Sequence, residues 1–218
     1  MANQLAFDWP RGVARGPDDF FVSEANAKAY AVIQTPETWP ELKLALVGPR
    51  GCGKSHLAQL FASNTGAQVF KAAHGVDGAD PQHPVVVEDV ENLPAAAEEP
   101  LFHLHNNLRA AGQPLLLTSL IPPARWNIAL PDLASRMQAA TVIEIADPDD
   151  ALFTALIMKL FSDRQIMPSP DLAPYLAARI ERSYAAAARI VAALDSAALS
   201  RGRRINRALA AELLDNTG

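Results

Sequence analysis

The eight residues Gly48-Pro49-Arg50-Gly51-Cys52-Gly53-Lys54-Ser55 match the pattern G-x-x-x-x-G-K-[ST] at each specified position. No other feature of the chain restricts the fold as strongly, because such a loop works only between a strand and a helix. Both flanks agree with it. Leu42 to Val47 is a short apolar run suited to a buried parallel strand, and Ser55 to Asn64 reads as a helix. Glycines let successive backbone N–H groups curl around phosphate oxygens, and the helix that follows turns its positive end toward them. Lys54 is expected to reach the β- and γ-phosphates, and the Ser55 hydroxyl to hold Mg²⁺. Gly48, Gly51, Cys52, Gly53, Lys54, Ser55 and His56 are the candidate nucleotide-binding residues.

A nucleotide loop of this class needs acids at the end of a neighbouring strand. Pro84-Val85-Val86-Val87-Glu88-Asp89 supplies them: three valines in a row, then two carboxylates. Glu88 is expected to serve the metal through water, and Asp89 to lie near the γ-phosphate. Leu115-Leu116-Leu117-Thr118-Ser119 repeats the pattern, an apolar strand ending in small polar residues, and either a phosphate sensor or a plain strand end fits it. His103 and His105 stand two apart in a helical stretch, so they face different sides and make a poor metal pair.

Around these motifs, strands and helices alternate. Ser23 to Ile33 reads as a helix with Ser23 as its N-cap, stopped by Pro36 and Pro40. Gln68 to Ala72 reads as a strand, 95–111 as a helix ending at Gly112, Pro131 to Met137 as a short helix and Thr141 to Ile145 as a last strand. Alternation of this kind predicts an α/β fold with a parallel sheet. After Pro148 the pattern changes to Ala-rich helices alone: Leu152 to Phe161, Leu172 to Ile180, Tyr184 to Leu199 and Ile205 to Leu214. The expected organisation is an extended leader at 1–17, a nucleotide-binding base at 18–147 and a helical unit at 148–218.

Charge and composition exclude other classes. The net charge is −5, but residues 151–218 alone carry +3, too little to make a duplex-binding module. One cysteine, Cys52, excludes an intramolecular disulfide. No apolar run approaches the roughly 18 residues of a membrane span, and no secretory leader is legible at the N-terminus. The expectation is a cytoplasmic protein.

Taken together, the loop at 48–55, the strand Val85 to Asp89 and the segment Leu130-Pro131-Asp132-Leu133-Ala134-Ser135-Arg136 resemble the AAA+ ATPases of the replication-initiator DnaA clade, as does the opening Asp18-Asp19-Phe20-Phe21-Val22 with Asn26. The resemblance covers about residues 17–200. It implies a P-loop AAA+ fold of the ASCE type, a five-stranded parallel sheet with helices on both faces and a small all-helical lid. It also implies ADP or ATP with Mg²⁺ as ligand. Arg136 falls where this clade carries its arginine finger, which reaches a neighbour's γ-phosphate.

The chain ends at Gly218 directly after the expected lid, without DnaA's helix-turn-helix domain. In this it looks like the Hda group of alphaproteobacterial DnaA homologues, which mediate regulatory inactivation of DnaA. Gln4, Leu5 and Phe7 are similar to the short motif by which that group docks on the DNA polymerase III sliding clamp (the β subunit). An extended peptide of that kind uses its Gln for polar contacts and its apolar side chains to fill a pocket. The implied partners are the clamp, DnaA and further copies of the chain itself (a homo-oligomer), with neither a membrane nor strong direct DNA binding.

Two departures from the clade bear on self-hydrolysis. Glu88 stands where the first acid is usually Asp, and Ala185 where a lid arginine senses nucleotide. A rival reading is a DNA-remodelling ATPase, such as a helicase loader or transposition helper, for which Arg201-Gly202-Arg203-Arg204 with Arg207 would contact nucleic acid.

Overall fold

A computed structural model describes residues 22–215. Its centre is a five-stranded, wholly parallel sheet in the order β2-β3-β4-β1-β5. The strands are β1 (Lys43–Val47), β2 (Gln68–Lys71), β3 (Val85–Glu88), β4 (Leu115–Ser119) and β5 (Thr141–Glu144). The three central strands are buried along their whole length, which is why they read as continuous Leu and Val runs and not as an alternation.

The period of two sorts these side chains onto two faces. Leu44, Leu46, Val86, Leu116 and Ile143 join one core with α1 (Ala27–Ile33) and α2 (Lys54–Thr65). Ala45, Val85, Val87, Leu115 and Leu117 join the other with α3 (Glu98–Ala111) and α4 (Pro131–Gln138). A third core is built from α5 (Asp150–Asp163), α6 (Leu172–Ala177), α7 (Tyr184–Arg201) and α8 (Arg207–Asp215), with no strand among them. Asp149 caps α5 by accepting the Leu152 N–H, and Ser183 caps α7 through the Ala186 N–H.

Most predicted elements are present with end shifts of up to three residues, as where α3 begins at Glu98 and not 95 and α6 ends at Ala177 and not Ile180. The first helix is the exception. It begins at Ala27, and Ser23 is not its N-cap. Asn26 turns its side chain backwards to accept the Ser23 N–H at 2.9 Å, while the Ser23 carbonyl accepts from Asn26 and Ala27. These bonds close a tight turn over 23–26 and leave the helix only seven residues.

The sheet also buries charge. Lys43, the first residue of β1, is 1% exposed, and its Nζ lies 3.2 Å from Nε2 of the equally buried His105 on α3. Burial, with Lys43 beside it, holds His105 at a pKa of about 4. The unfolded chain therefore binds a proton between about pH 6.5 and 4 that the native state refuses. Stability should fall as pH drops through that window, by up to about 3 kcal/mol from this group. Denaturant titrations from pH 7 to 4 should show that His105→Gln flattens the decline relative to the unmodified chain.

Candidate nucleotide site

Gly48 to Gly53 leave the C-terminal end of β1 and turn into α2, with Gly51 at φ +81° and Gly53 at φ +99°. Both are left-handed conformations that L side chains resist. The loop borders a cleft of about 440 Å³ lined by Arg50, Gly51, Gly53, Lys54, Ser55, His56, Asp89, Glu91, Asn92 and Leu120. Of the candidate binding residues, Gly51, Gly53, Lys54, Ser55 and His56 lie in its wall. Gly48 and Cys52 do not. A Cβ on Gly48 would come within 2.8 Å of Cys52 Sγ and 3.0 Å of the Ile145 carbonyl, so this glycine lets the loop close tightly on itself. Burial pushes the Cys52 thiol up, which keeps it a packing residue despite Lys54 nearby.

Lys54 is folded onto its own loop. Its Nζ donates to the carbonyls of Gly48 at 2.7 Å and Pro49 at 2.9 Å. The ammonium therefore satisfies two of the loop's own carbonyls.

The acids stand two strands away, because β4 lies between β1 and β3. Asp89 lines the cleft, and its backbone is left-handed at φ 59°, a conformation Asp tolerates better than most residues. Its N–H donates to Thr118 Oγ1 at 3.2 Å, so Thr118 fixes the acid's backbone. Ser119 serves packing: its hydroxyl accepts the Trp126 indole N–H at 2.8 Å and the Ile121 N–H. Glu88 is buried and lies outside the cleft wall. Lys71, at the end of β2, bridges both carboxylates, 3.0 Å from Glu88 and 3.2 Å from Asp89.

The donor set fits a hydrated Mg²⁺, which takes few protein ligands and keeps several waters. Among the described residues, Glu88 Oε1 and both carboxylate oxygens of Glu91 are buried without a hydrogen-bond partner, leaving acceptor capacity beside the cleft. Ser55 supplies the hydroxyl at the start of α2.

Sequence reasoning missed Lys71, Glu91, Asn92, Leu120 and Tyr184. Glu91 follows the two acids closely, but its role depends on a short 3-10 turn over Val90–Asn92 that no motif announces. At the lid, Ala185 is exposed and points to no sensing role, while its neighbour Tyr184 is buried against the loop: a Cβ on Gly51 would lie 3.0 Å from Tyr184 Cβ. Arg182 instead pairs with Asp150 at 2.7 Å, and Arg189 is exposed outside the cleft wall.

Arg136 is absent from this cleft. It lies in the last turn of α4, its guanidinium 5.1 Å over the Phe102 ring, and its carbonyl accepts from Lys43 at the N-terminal end of β1. The phosphate loop leaves the other end of that strand, about 15 Å away along five residues of β1. Gln4, Leu5 and Phe7 lie outside the described residues.

No protein-family model matches the chain. A stretch of 99 residues is 27% identical to the chromosomal replication initiator protein DnaA of Cutibacterium acnes, covering 44% of this chain and 20% of that protein. The match thus spans a fifth of its curated relative. Among solved structures, domain III of the Thermotoga maritima replication initiation protein DnaA superposes with a TM-score of 0.73 at 18% identity, over 92% of this chain and 95% of that one. AMPPCP-bound DnaA from Aquifex aeolicus gives 0.64 at 18% identity, over 82% and 64%. The Thermotoga maritima RuvB Holliday junction branch migration motor gives 0.63 at 19% identity, over 91% and 70%. The strand order, the loop and the two acids at the end of β3 are thus set on the AAA+ P-loop fold that DnaA domain III and RuvB share.

Proposed function

We propose that the chain is a regulatory partner of a DnaA-type initiator, of the Hda kind, and not a self-sufficient motor. The position of Arg136 carries this reading. Arg136 is held at the far end of β1 from its own phosphate loop, outside the cleft and half-buried with its guanidinium over the Phe102 ring, which suits a role toward a neighbour's nucleotide and not its own. An arginine delivered in trans to a γ-phosphate spreads the transition-state charge over its delocalised fork and contributes roughly 10³–10⁵ in rate.

In this reading the leader docks on the sliding clamp through Gln4, Leu5 and Phe7. The AAA+ body meets ATP-bound DnaA, and Arg136 completes the hydrolysis site there. DnaA is left with ADP, and over-initiation of chromosome replication is prevented. The chain's own cleft takes ADP or ATP, with Lys54 and the loop amides on the phosphates and Ser55 toward Mg²⁺; the metal supplies charge neutralisation between phosphate oxygens when bound. Lys71 on Glu88 and Asp89 favours weak turnover, since both acids already hold a cation.

The DNA-remodelling rival gains little from its basic run. Arg201 and Arg203 both pair with Glu212, and Arg207 stacks 4.5 Å over the Tyr175 ring.

Hydrolysis of DnaA-bound ATP, measured with clamp loaded on DNA, tests the reading. Arg136→Ala should lower the stimulated rate by about 10³-fold while clamp pull-down is retained. Normal stimulation by that variant removes the trans assignment. Replacing Gln4, Leu5 and Phe7 by Ala should abolish clamp pull-down, and retained pull-down removes the docking assignment.

A further inference from the structure

The short helix that carries Arg136 is held by a buried charge at each end. At its N-terminus, Glu98 of α3 is 5% exposed; Oε1 accepts the Ala129 N–H at 3.0 Å and Oε2 the Leu130 N–H at 2.7 Å. Leu130 is the residue that caps α4. At the C-terminus, the buried Lys43 donates to the Arg136 carbonyl at 2.5 Å, one of the last-turn carbonyls that a helix leaves without an internal partner. Carboxylate at the start and ammonium at the end is the arrangement that the helix dipole favours. The two groups come from different elements, α3 and β1, so α4 is tied to both the layer behind it and the sheet beneath it.

Lys43 has further contacts that fix its own position. His105 Nε2 lies 3.2 Å away, and the Glu41 carboxylate 3.6 Å away. Neutral His105 can accept at Nε2, so the ammonium is shared among an imidazole, a carboxylate and the finger's own backbone. Exposed helices need no such construction. An eight-residue helix whose face already packs through Leu133 and Met137 gains positional definition from it.

We propose that Lys43 and Glu98 are positioning residues for Arg136, clamping α4 at its two ends so that the guanidinium meets the partner's nucleotide in one fixed register. This rests on the reading of Arg136 as acting in trans. Displacing a reacting group by about 1 Å costs on the order of 100-fold in rate, so loss of an anchor should be read in turnover and not in encounter.

The test uses the full chain with ATP-bound DnaA and loaded clamp, comparing Lys43→Met, Glu98→Gln and Arg136→Ala. Lys43→Met should lower the maximal stimulated rate by about 100-fold with the half-saturating concentration unchanged. Glu98→Gln keeps one acceptor oxygen and should lose on the order of 10-fold. Hydrogen exchange over 130–140 should rise in both, with α2 unaffected. Normal maximal rates in folded Lys43→Met and Glu98→Gln, beside an inactive Arg136→Ala, overturn the proposal. So does a parallel fall in melting temperature and rise in half-saturation, which marks general destabilisation. If Lys43→Met does not fold, Glu98→Gln carries the same comparison. Should Arg136→Ala stimulate normally, the trans reading fails instead, and unchanged exchange over 130–140 in the two anchor variants removes the clamp as well.

Discussion

Lys54→Ala should weaken binding of both ADP and ATP by about 100-fold or more in titration calorimetry, with the fold retained. The ammonium now donates to the Gly48 and Pro49 carbonyls. A diphosphate entering the loop would exchange these neutral acceptors for charged oxygens, each such bond contributing about 1.5–3 kcal/mol. Two of them account for roughly 3–6 kcal/mol, and 1.4 kcal/mol is a factor of ten in affinity. Alanine at the first position of α2 suits the helix, but the buried Gly48 carbonyl loses its donor, so stability should fall by about 1–3 kcal/mol. Unchanged affinity for both nucleotides would show that the cleft beside the loop is not where they bind.

Gly51→Val should destabilise the chain and loosen the lid together. At φ +81° a β-branched residue costs about 1–3 kcal/mol in backbone strain alone. Its Cβ would also fall 3.0 Å from Cβ of the buried Tyr184 at the start of α7, where the helical unit meets the loop. One or the other must move. With the two effects combined, a loss of about 3 kcal/mol is expected, or roughly 6–12 °C in melting temperature for a chain of this size. If Gly51→Val melts like the unmodified chain, the loop and lid are not packed as described.

How much of this was legible beforehand follows from how local each signal is. The glycine-rich loop and the buried strands are encoded within a few neighbouring residues, and they stand where the motif and the apolar runs put them. Ser23 misled because two cap-forming residues, Ser23 and Asn26, stand three apart. Pattern favours the first as a cap, but the Asn26 side chain bonds back to the Ser23 N–H, and α1 waits until Ala27.

The candidate site divides the same way. That Gly48 to Ser55 turns from a strand into a helix is written in consecutive residues, and so is the succession of Glu88 and Asp89 at a strand end. Lys71 gives no sign in the sequence of its hold on those acids, because only the β2–β3 register sets it opposite Glu88. Lys43 reads as a polar residue before a strand. Its partners, His105 and the Arg136 carbonyl, are 62 and 93 residues away. Sequence by itself determined the alternating α/β chain, the loop and the arginine-bearing helix, since backbone geometry and hydrophobic period act over one or two turns. Only the tertiary structure decided which charges are buried together and which end of the sheet each functional group occupies. Those depend on strand order, and strand order is a property of the packed sheet and not of any single segment.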